Sequence, residues 1–262
     1  MTDPTAHRIR TVDGDLIGTT AFFRNRAFLR QLGEEIASLA IEGRPVDIFV
    51  HACSIGAEAY SIAIHLQLAH PEVAFRITCS DLSPGFVGFA KNGVYPAKVI
   101  DRLEPAERAF FDPAPNGAVS VGSSTRALVT FDPPGSFVDY EPGRTFDVVT
   151  LCNALVYVPA AAQAAAIERI ARYNSSLLAL TGGHHDTVAE DLARNGYEPV
   201  MASFEAIHAG WTDRQRPQGW RPNQPLPPNI HADPYLGPID DSPGWRYRHG
   251  ALFRKQAIAA AA

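Results

Sequence analysis

The sequence predicts an α/β fold, a mostly parallel sheet with helices on both faces. Two observations carry this. Short apolar runs rich in Val, Ile and Phe alternate with longer stretches of helical period, the pattern of repeated strand–helix units. The composition, 46% hydrophobic and 19% charged over 262 residues, belongs to a chain that buries a real core, so a single domain over 1–262 is expected.

A helix over 21–41 precedes VDIFVHAC (46–53), the leading strand, which breaks through a small-residue turn into a helix over 57–69. FRITCSD (75–81) is the second strand, with helices over 84–91 and 104–111 behind it. Residues 112–127, short and turn-rich, read as an inserted loop or small hairpin before LVTFD (128–132). FDVVTLCN (146–153) leads to a helix over 160–173, with Pro159 where its missing N–H costs nothing. SLLALTG (176–182), a helix over 187–195, PVMASFE (199–205) and HGALFRK (249–255) complete the alternation. Residues 206–245 interrupt it. That segment collects prolines and shows no useful period, yet holds Trp211, Trp220, Trp245 and Tyr235. Long structureless loops inside a domain are functional or disordered, and large aromatics argue against disorder, so an ordered lid is expected.

The net charge of -5 offers no broad positive field, which argues against nucleic acid and anionic membrane surfaces as partners. The opening MTDPTAHRIR lacks a signal-peptide core, and no apolar run is long enough to span a bilayer, so a cytoplasmic protein is expected. The three cysteines, Cys53, Cys79 and Cys152, are too few and too scattered for a disulfide framework or a zinc cage, and read as buried thiols. No metal is expected, since HHD (184–186) lacks a third ligand at a recognisable spacing.

In an open parallel sheet, ligands bind outside the carboxyl ends of the strands. The residues to read are therefore Cys53, Ser54, Gly56 and Glu58 after one strand, Asp81 after the next, Asn153 and Tyr157 after the fourth, and Gly183, His184, His185 and Asp186 after the fifth. Asp81 is suited to a ribose, because a carboxylate accepts from both hydroxyls. The turn with Gly56 lacks the spacing of a pyrophosphate cradle and carries a carboxylate. Glu58 reads either as a partner for an amino group or as an acidic residue favoured at a helix start. A nucleoside bearing an ammonium group points to S-adenosylmethionine rather than NAD or ATP.

In order along the chain, TAFFR (20–24), ACSIGAEAYSIAI (52–64), SD (80–81), NGVY (92–95), FDVVTLCNALVYV (146–158) and GHHD (183–186) resemble the chemotaxis-receptor methyltransferases, the CheR-type family. The resemblance covers roughly residues 18–200. It implies a Rossmann-like methyltransferase fold, seven strands with the last antiparallel, and methylation of receptor glutamates with S-adenosylmethionine as donor and S-adenosylhomocysteine as product. It would place Thr20 and Arg24 near the methionine end and the acceptor, Glu58 at the amino group, Asp81 at the ribose, and Asn153 and Tyr157 at the methyl-transfer site.

Four departures fall on the acceptor side. Cys152 stands where the family usually has arginine, GHHD replaces Gly-His-Ser-Glu, about 40 residues separate the last two strands, and the first 17 residues leave no room for the family's N-terminal helical domain. The expected function is methyl transfer to a small-molecule acceptor held by Arg24, Tyr157 and the 206–245 lid, with Cys152, His208, Trp211 and Trp220 lining the pocket. A carboxylate acceptor needs no general base, whereas an amine, phenol or thiol does, for which His184, His185, His208 or His231 would serve. The alternatives are a protein carboxylate methyltransferase and a non-catalytic cofactor-binding module.

Overall fold

A computed structural model describes residues 7–11, 14–18, 20–181, 185–215 and 244–256. In chain order the elements are β1 (His7–Thr11), β2 (Gly14–Gly18), α1 (Arg26–Ser38), β3 (Val46–Val50), α2 (Ala57–Ala69), β4 (Phe75–Cys79), α3 (Pro84–Asn92) and β5 (Val94–Pro96). They continue with α4 (Pro105–Arg108), β6 (Phe111–Ala114), β7 (Ala118–Val121), α5 (Ser123–Ala127), β8 (Val129–Phe131), β9 (Phe146–Cys152), α6 (Ala160–Tyr173) and β10 (Asn174–Thr181). The last are α7 (His185–Arg194), β11 (Tyr197–Pro199), α8 (Phe204–Gln215), α9 (Trp245–His249) and β12 (Leu252–Lys255).

Seven strands form the main sheet in the order β11-β12-β10-β9-β3-β4-β8. β3, β4 and β8 run parallel, as do β9 and β10, whereas β12 is antiparallel to both β10 and β11. This is the mostly parallel, seven-stranded sheet with an antiparallel last strand that the resemblance implied. By its contacts the chain falls into two compact units, Met1–Arg24 with Ile36–Phe137, and Asn25–Glu35 with Val138–Ala262.

In the first unit, β3 and β4 bury Val46, Ile48, Phe49, Val50, Ile77 and Cys79 completely. α2 is buried on nearly every side, which its alanines permit by leaving room for close neighbours. Tyr95 sits edge-on to Phe22 at 5.0 Å and to Phe89 at 5.4 Å, and its hydroxyl donates to the Ile55 carbonyl at 2.6 Å. The Tyr60 hydroxyl donates to the Ala90 carbonyl at 2.9 Å, so both phenols are satisfied in the core. α3 starts on Ser83, which accepts from the Phe86 N–H, and Pro84, and stops at Gly93 in the left-handed conformation.

In the second unit, β9 is buried along its whole length, and α6, which buries Ala166, Ile167 and Ile170, packs against β10. The Tyr197 hydroxyl donates to Asn174 Oδ1 at 2.9 Å, and Lys255 Nζ donates to the Asn174 and Ala171 carbonyls. Glu35 of α1, 5% exposed, holds Arg254 of β12 through two parallel bonds of 2.7 and 2.8 Å. Asn25 caps α1 by accepting from the Phe28 N–H at 3.0 Å, and its amide donates to the Ile207 carbonyl of α8 at 2.8 Å. Gly210 makes that approach feasible: a Cβ there would lie 2.7 Å from Asn25 Oδ1.

The structure departs from the expected elements in several places. The helix expected from 21 begins only at Arg26, because Phe23 takes a left-handed turn (φ 49) and Asn25 supplies the cap. The helix expected to 111 ends at Arg108, and Phe111 enters β6. Residues 112–127 fold as the β6–β7 hairpin followed by α5, and β5 joins the hairpin in a separate antiparallel sheet, β5-β7-β6. The strand expected over 199–205 ends at Pro199, where proline has no N–H to donate, and Ser203 (φ 58) turns the chain into α8. The absence of period from 206 onward misled, since α8 continues to Gln215; its polar and apolar residues are scattered around the helix rather than gathered on one face. Residues 216–243, with Trp220, His231 and Tyr235, lie outside the described residues. All three cysteines are buried and free. Among the described residues no helix is long and apolar enough to cross a membrane.

Removing Arg254 takes two charge-assisted bonds from the buried Glu35 carboxylate, which also accepts from the Gln31 amide at 3.1 Å. Arg254→Ala is therefore expected to cost about 2 kcal/mol, read as a lowered urea midpoint. Glu35→Gln should cost less, because the Arg254 side chain is 61% exposed and water takes over its bonds. Equal losses would contradict this asymmetry.

Candidate functional site

In the first unit, the chain leaves β3 through a turn in which every second residue has positive φ: Ala52 (49), Ser54 (49) and Gly56 (82). Left-handed backbone is unfavourable for Ala and Ser, so the turn needs outside support. Asp81, two residues beyond β4, supplies it. Its Oδ2 accepts from the Ser54 N–H at 2.8 Å and its Oδ1 from the Ser83 N–H at 2.9 Å, pinning both turns to one carboxylate. The Cys53 N–H donates to the Ser80 carbonyl at 3.1 Å and the Gly56 N–H to the Cys53 carbonyl at 2.8 Å. These turn N–H groups are thus engaged within the protein, one of them by a carboxylate, which leaves a poor cradle for a phosphate.

Burial raises the Asp81 carboxyl above its ordinary value of 3.8, and backbone N–H donors from Ser83, Ser54 and Leu82 partly offset the rise. His51, at the end of β3, is buried with its ring 4.4 Å from Phe49, and burial pushes it down to about 3. It is neutral at pH 7 and adds no positive charge beside the turn. Glu58, in the first turn of α2, is half-buried. The Phe23 N–H donates to Ser61 Oγ at 2.9 Å, and that hydroxyl donates to the Ala57 carbonyl at 2.6 Å. The segment carrying half-buried Thr20 and Arg24 is tied in this way to the first turn of α2. Cys53 is 2% exposed, so its thiol does not reach the turn surface.

Two hydroxyls at this turn, Ser54 Oγ and Ser80 Oγ, are buried without a hydrogen-bond partner. Buried polar atoms are nearly always paired, so these two hydroxyls at the ends of β3 and β4 are exceptions to the rule. Two carboxylates, Glu58 and Asp81, with no phosphate cradle, suit a cationic nucleoside better than a phosphorylated one.

In the second unit, Asn153 follows β9 in the left-handed conformation (φ 57), fixed by its N–H donating to the Thr181 carbonyl at 2.8 Å. Its Oδ1 and Thr181 Oγ1 are also buried and unpartnered. Cys152 is 9% exposed, and Tyr157, on a short helical turn, is 59% exposed. Gln163 of α6, itself buried, donates to the Leu155 carbonyl at 3.1 Å and the Val158 carbonyl at 3.0 Å, so one amide brackets the turn that presents Tyr157. His184 and Trp220 lie outside the described residues, and of the α8 residues His208 and Trp211 only the helical placement is described. Among the described residues no group of His, Cys, Asp and Glu is arranged to hold a metal ion.

Sequence reading missed Ser61, Ser80, Gln163 and Thr181. Ser61 and Gln163 had one local signal, a polar residue on an otherwise apolar helix face. Gly56 is the sharpest test of the turn. A Cβ there would lie 3.0 Å from Ala90 Cβ and 3.3 Å from the Tyr95 hydroxyl, at φ 82. Gly56→Ala is expected to cost at least ~2 kcal/mol in thermal or urea unfolding, the left-handed penalty plus the clash. A loss below about 0.5 kcal/mol, the usual range for a surface change, would mean that the turn is not fixed as described.

The family described as CheR methyltransferase, SAM binding domain, matches residues 18–199. The chain is 28% identical over 158 residues to chemotaxis protein methyltransferase 1 of Vibrio cholerae, covering 57% of this chain and 58% of that protein. It is 30% identical over 158 residues to chemotaxis protein methyltransferase 2 of Pseudomonas aeruginosa, covering 58% and 56%. It thus spans little more than half the length of these relatives. Among solved structures, magnesium protoporphyrin IX methyltransferase from Synechocystis PCC 6803 aligns with a TM-score of 0.41 at 17% identity, covering 67% of this chain and 72% of that one. Turn, acidic strand end and asparagine motif all lie inside the matched span, and the chain belongs to the CheR methyltransferase SAM-binding domain family.

Proposed function

We propose that this protein transfers a methyl group from S-adenosylmethionine to a small-molecule acceptor. The observation that carries the cofactor half is the turn at the end of β3, where N–H groups are engaged internally and the nearby acidic residues are Glu58 and Asp81. Glu58 would accept from the ammonium group, and Asp81 from the ribose through the acceptor capacity that its backbone donors leave free. Arg24 and Thr20 would address the methionine end. The bound cofactor supplies a methyl group on a positively charged sulfur, and the chain's own task is to align the acceptor with it and exclude water. On this reading Tyr157, held by Gln163, and Asn153 address the acceptor, with the 206–245 segment as a lid.

The small-molecule half rests on Cys152, a neutral thiol where a cation would steady a carboxylate, and on the 206–245 segment. A second reading, methylation of protein carboxylates, is favoured by the 59% exposure of Tyr157 and by the relatives' names as chemotaxis protein methyltransferases. Turnover on a panel of small amines, phenols and thiols beside glutamate-bearing receptor peptides separates the two. Methylation of the peptides alone would overturn the small-molecule reading.

Calorimetry with S-adenosylmethionine and S-adenosylhomocysteine tests the cofactor half, and no binding of either at high micromolar concentration would refute it. Asp81→Ala is expected to weaken binding at least tenfold, because it removes the ribose acceptor and the support of the Ser54 turn together. Ribose recognition needs ionised Asp81, so affinity should fall toward acid through a carboxyl value above the ordinary 3.8. Stability moves in the opposite sense. A carboxyl raised by folding favours the folded state below its folded value, and that contribution is lost as pH rises through the window between 3.8 and the raised value.

A further inference from the structure

We propose that Cys53 and Cys79 form a redox switch beside the cofactor turn: a hydroperoxide joins them in a disulfide, and that disulfide lowers affinity for the cofactor. This rests on the cofactor reading above and adds a means of regulating the same site.

Strand register within the first unit brings the two cysteines together. Cys79 closes β4 opposite Val50 of the parallel strand β3, and just past Val50 the Cys53 N–H donates to the Ser80 carbonyl at 3.1 Å. The Cys79 thiol meets the Cys53 thiol there, and neither is in a disulfide. Burial, the adjoining Cys53 thiol and negative charge from Glu58 and Asp132 push Cys79 well above its ordinary value. Cys79 therefore stays protonated, and Cys53, lying on the turn itself, is the sulfur that a small oxidant meets first. Its neighbours Ala52 and Ser54 are both left-handed at φ 49, so Cys53 sits in the backbone that opens most readily to admit one.

The chemistry runs in two balanced steps. Cys53 sulfur takes one oxygen from the hydroperoxide and becomes a sulfenic acid, while hydrogen peroxide is reduced to water. Cys79 sulfur then attacks Cys53 sulfur; the S–S bond forms as the S–O bond breaks, and the hydroxyl leaves with the Cys79 proton as water. A disulfide holds its sulfurs about 2 Å apart, closer than two thiols in contact, so the bond draws Cys53 toward β4. The turn that moves with it lies between the Ser54 N–H, gripped by Asp81, and Glu58 at the start of α2. Linkage makes the effect mutual: a cofactor that binds the dithiol form better also resists formation of the disulfide.

The test treats the whole protein with hydrogen peroxide, maps its peptides under non-reducing conditions, and titrates it with S-adenosylhomocysteine by calorimetry before and after. A peptide joining Cys53 to Cys79 should appear, and free thiols should fall from three to one. S-adenosylhomocysteine should bind at least about tenfold more weakly until dithiothreitol restores the dithiol. Conversely, saturating S-adenosylhomocysteine should raise the midpoint potential of the pair in a glutathione titration by at least about 30 mV, which is tenfold for a two-electron couple. Three results would each overturn the proposal: three free thiols after treatment, a Cys53 sulfinic acid with no linked peptide, or a linked protein that binds S-adenosylhomocysteine as the reduced one does. If the reduced protein does not bind S-adenosylhomocysteine, the cofactor reading fails before any oxidant is added, and the peptide map still decides whether the pair forms.

Discussion

The first unit depends on one carboxylate. Asp81 bridges the Ser54 and Ser83 N–H groups, and through them it joins a strained turn after β3 to the start of α3. Without it, the Ser54 N–H, in the middle of the left-handed positions Ala52, Ser54 and Gly56, would lose its acceptor. α2 follows directly from that turn, so the placement of Glu58 is inherited from Asp81. The aromatic shell of Phe22, Tyr60 and Tyr95 then packs against a backbone whose shape is already set.

Burial works against this arrangement and is tolerated for what it provides. An acidic group 8% exposed is costly in its charged form, as the raised carboxyl shows. Backbone donors recover part of the cost and fix the carboxylate's orientation. The second unit follows a related principle on a neutral scale. Asn153 is held left-handed by the Thr181 carbonyl, and the Gln163 amide holds the Tyr157 turn through two carbonyls, so the backbone is fixed while polar side-chain atoms stay unpaired.

Much of the frame was legible in the sequence because it rests on local pattern. VDIFV, FRITC and FDVVTLC are apolar runs that become β3, β4 and β9, and the helices expected over 57–69 and 160–173 are α2 and α6 without adjustment. The β1–β2 hairpin was missed because HRIRT and GDLIG carry no apolar run, and β5 because three residues are too few to show a period. The residue types of the candidate site were readable, but their bonding was not. That Asp81 grips Ser54, 27 positions away, or that Asn25–Glu35 joins a unit whose remainder begins at Val138, depends on long-range contacts that no local window contains.

The clasp between Asn25 and α8 bears on how this scaffold is diversified. Asn25 bonds Ile207 and leaves no room for a side chain at position 210, so α8 through Gly210 is tied to the cap of α1. Libraries that vary length and sequence after Gln215 leave every atom of that clasp in place. Variation beyond α8 need not renegotiate the attachment, whereas a single methyl group at position 210 would push α8 against the cap of α1.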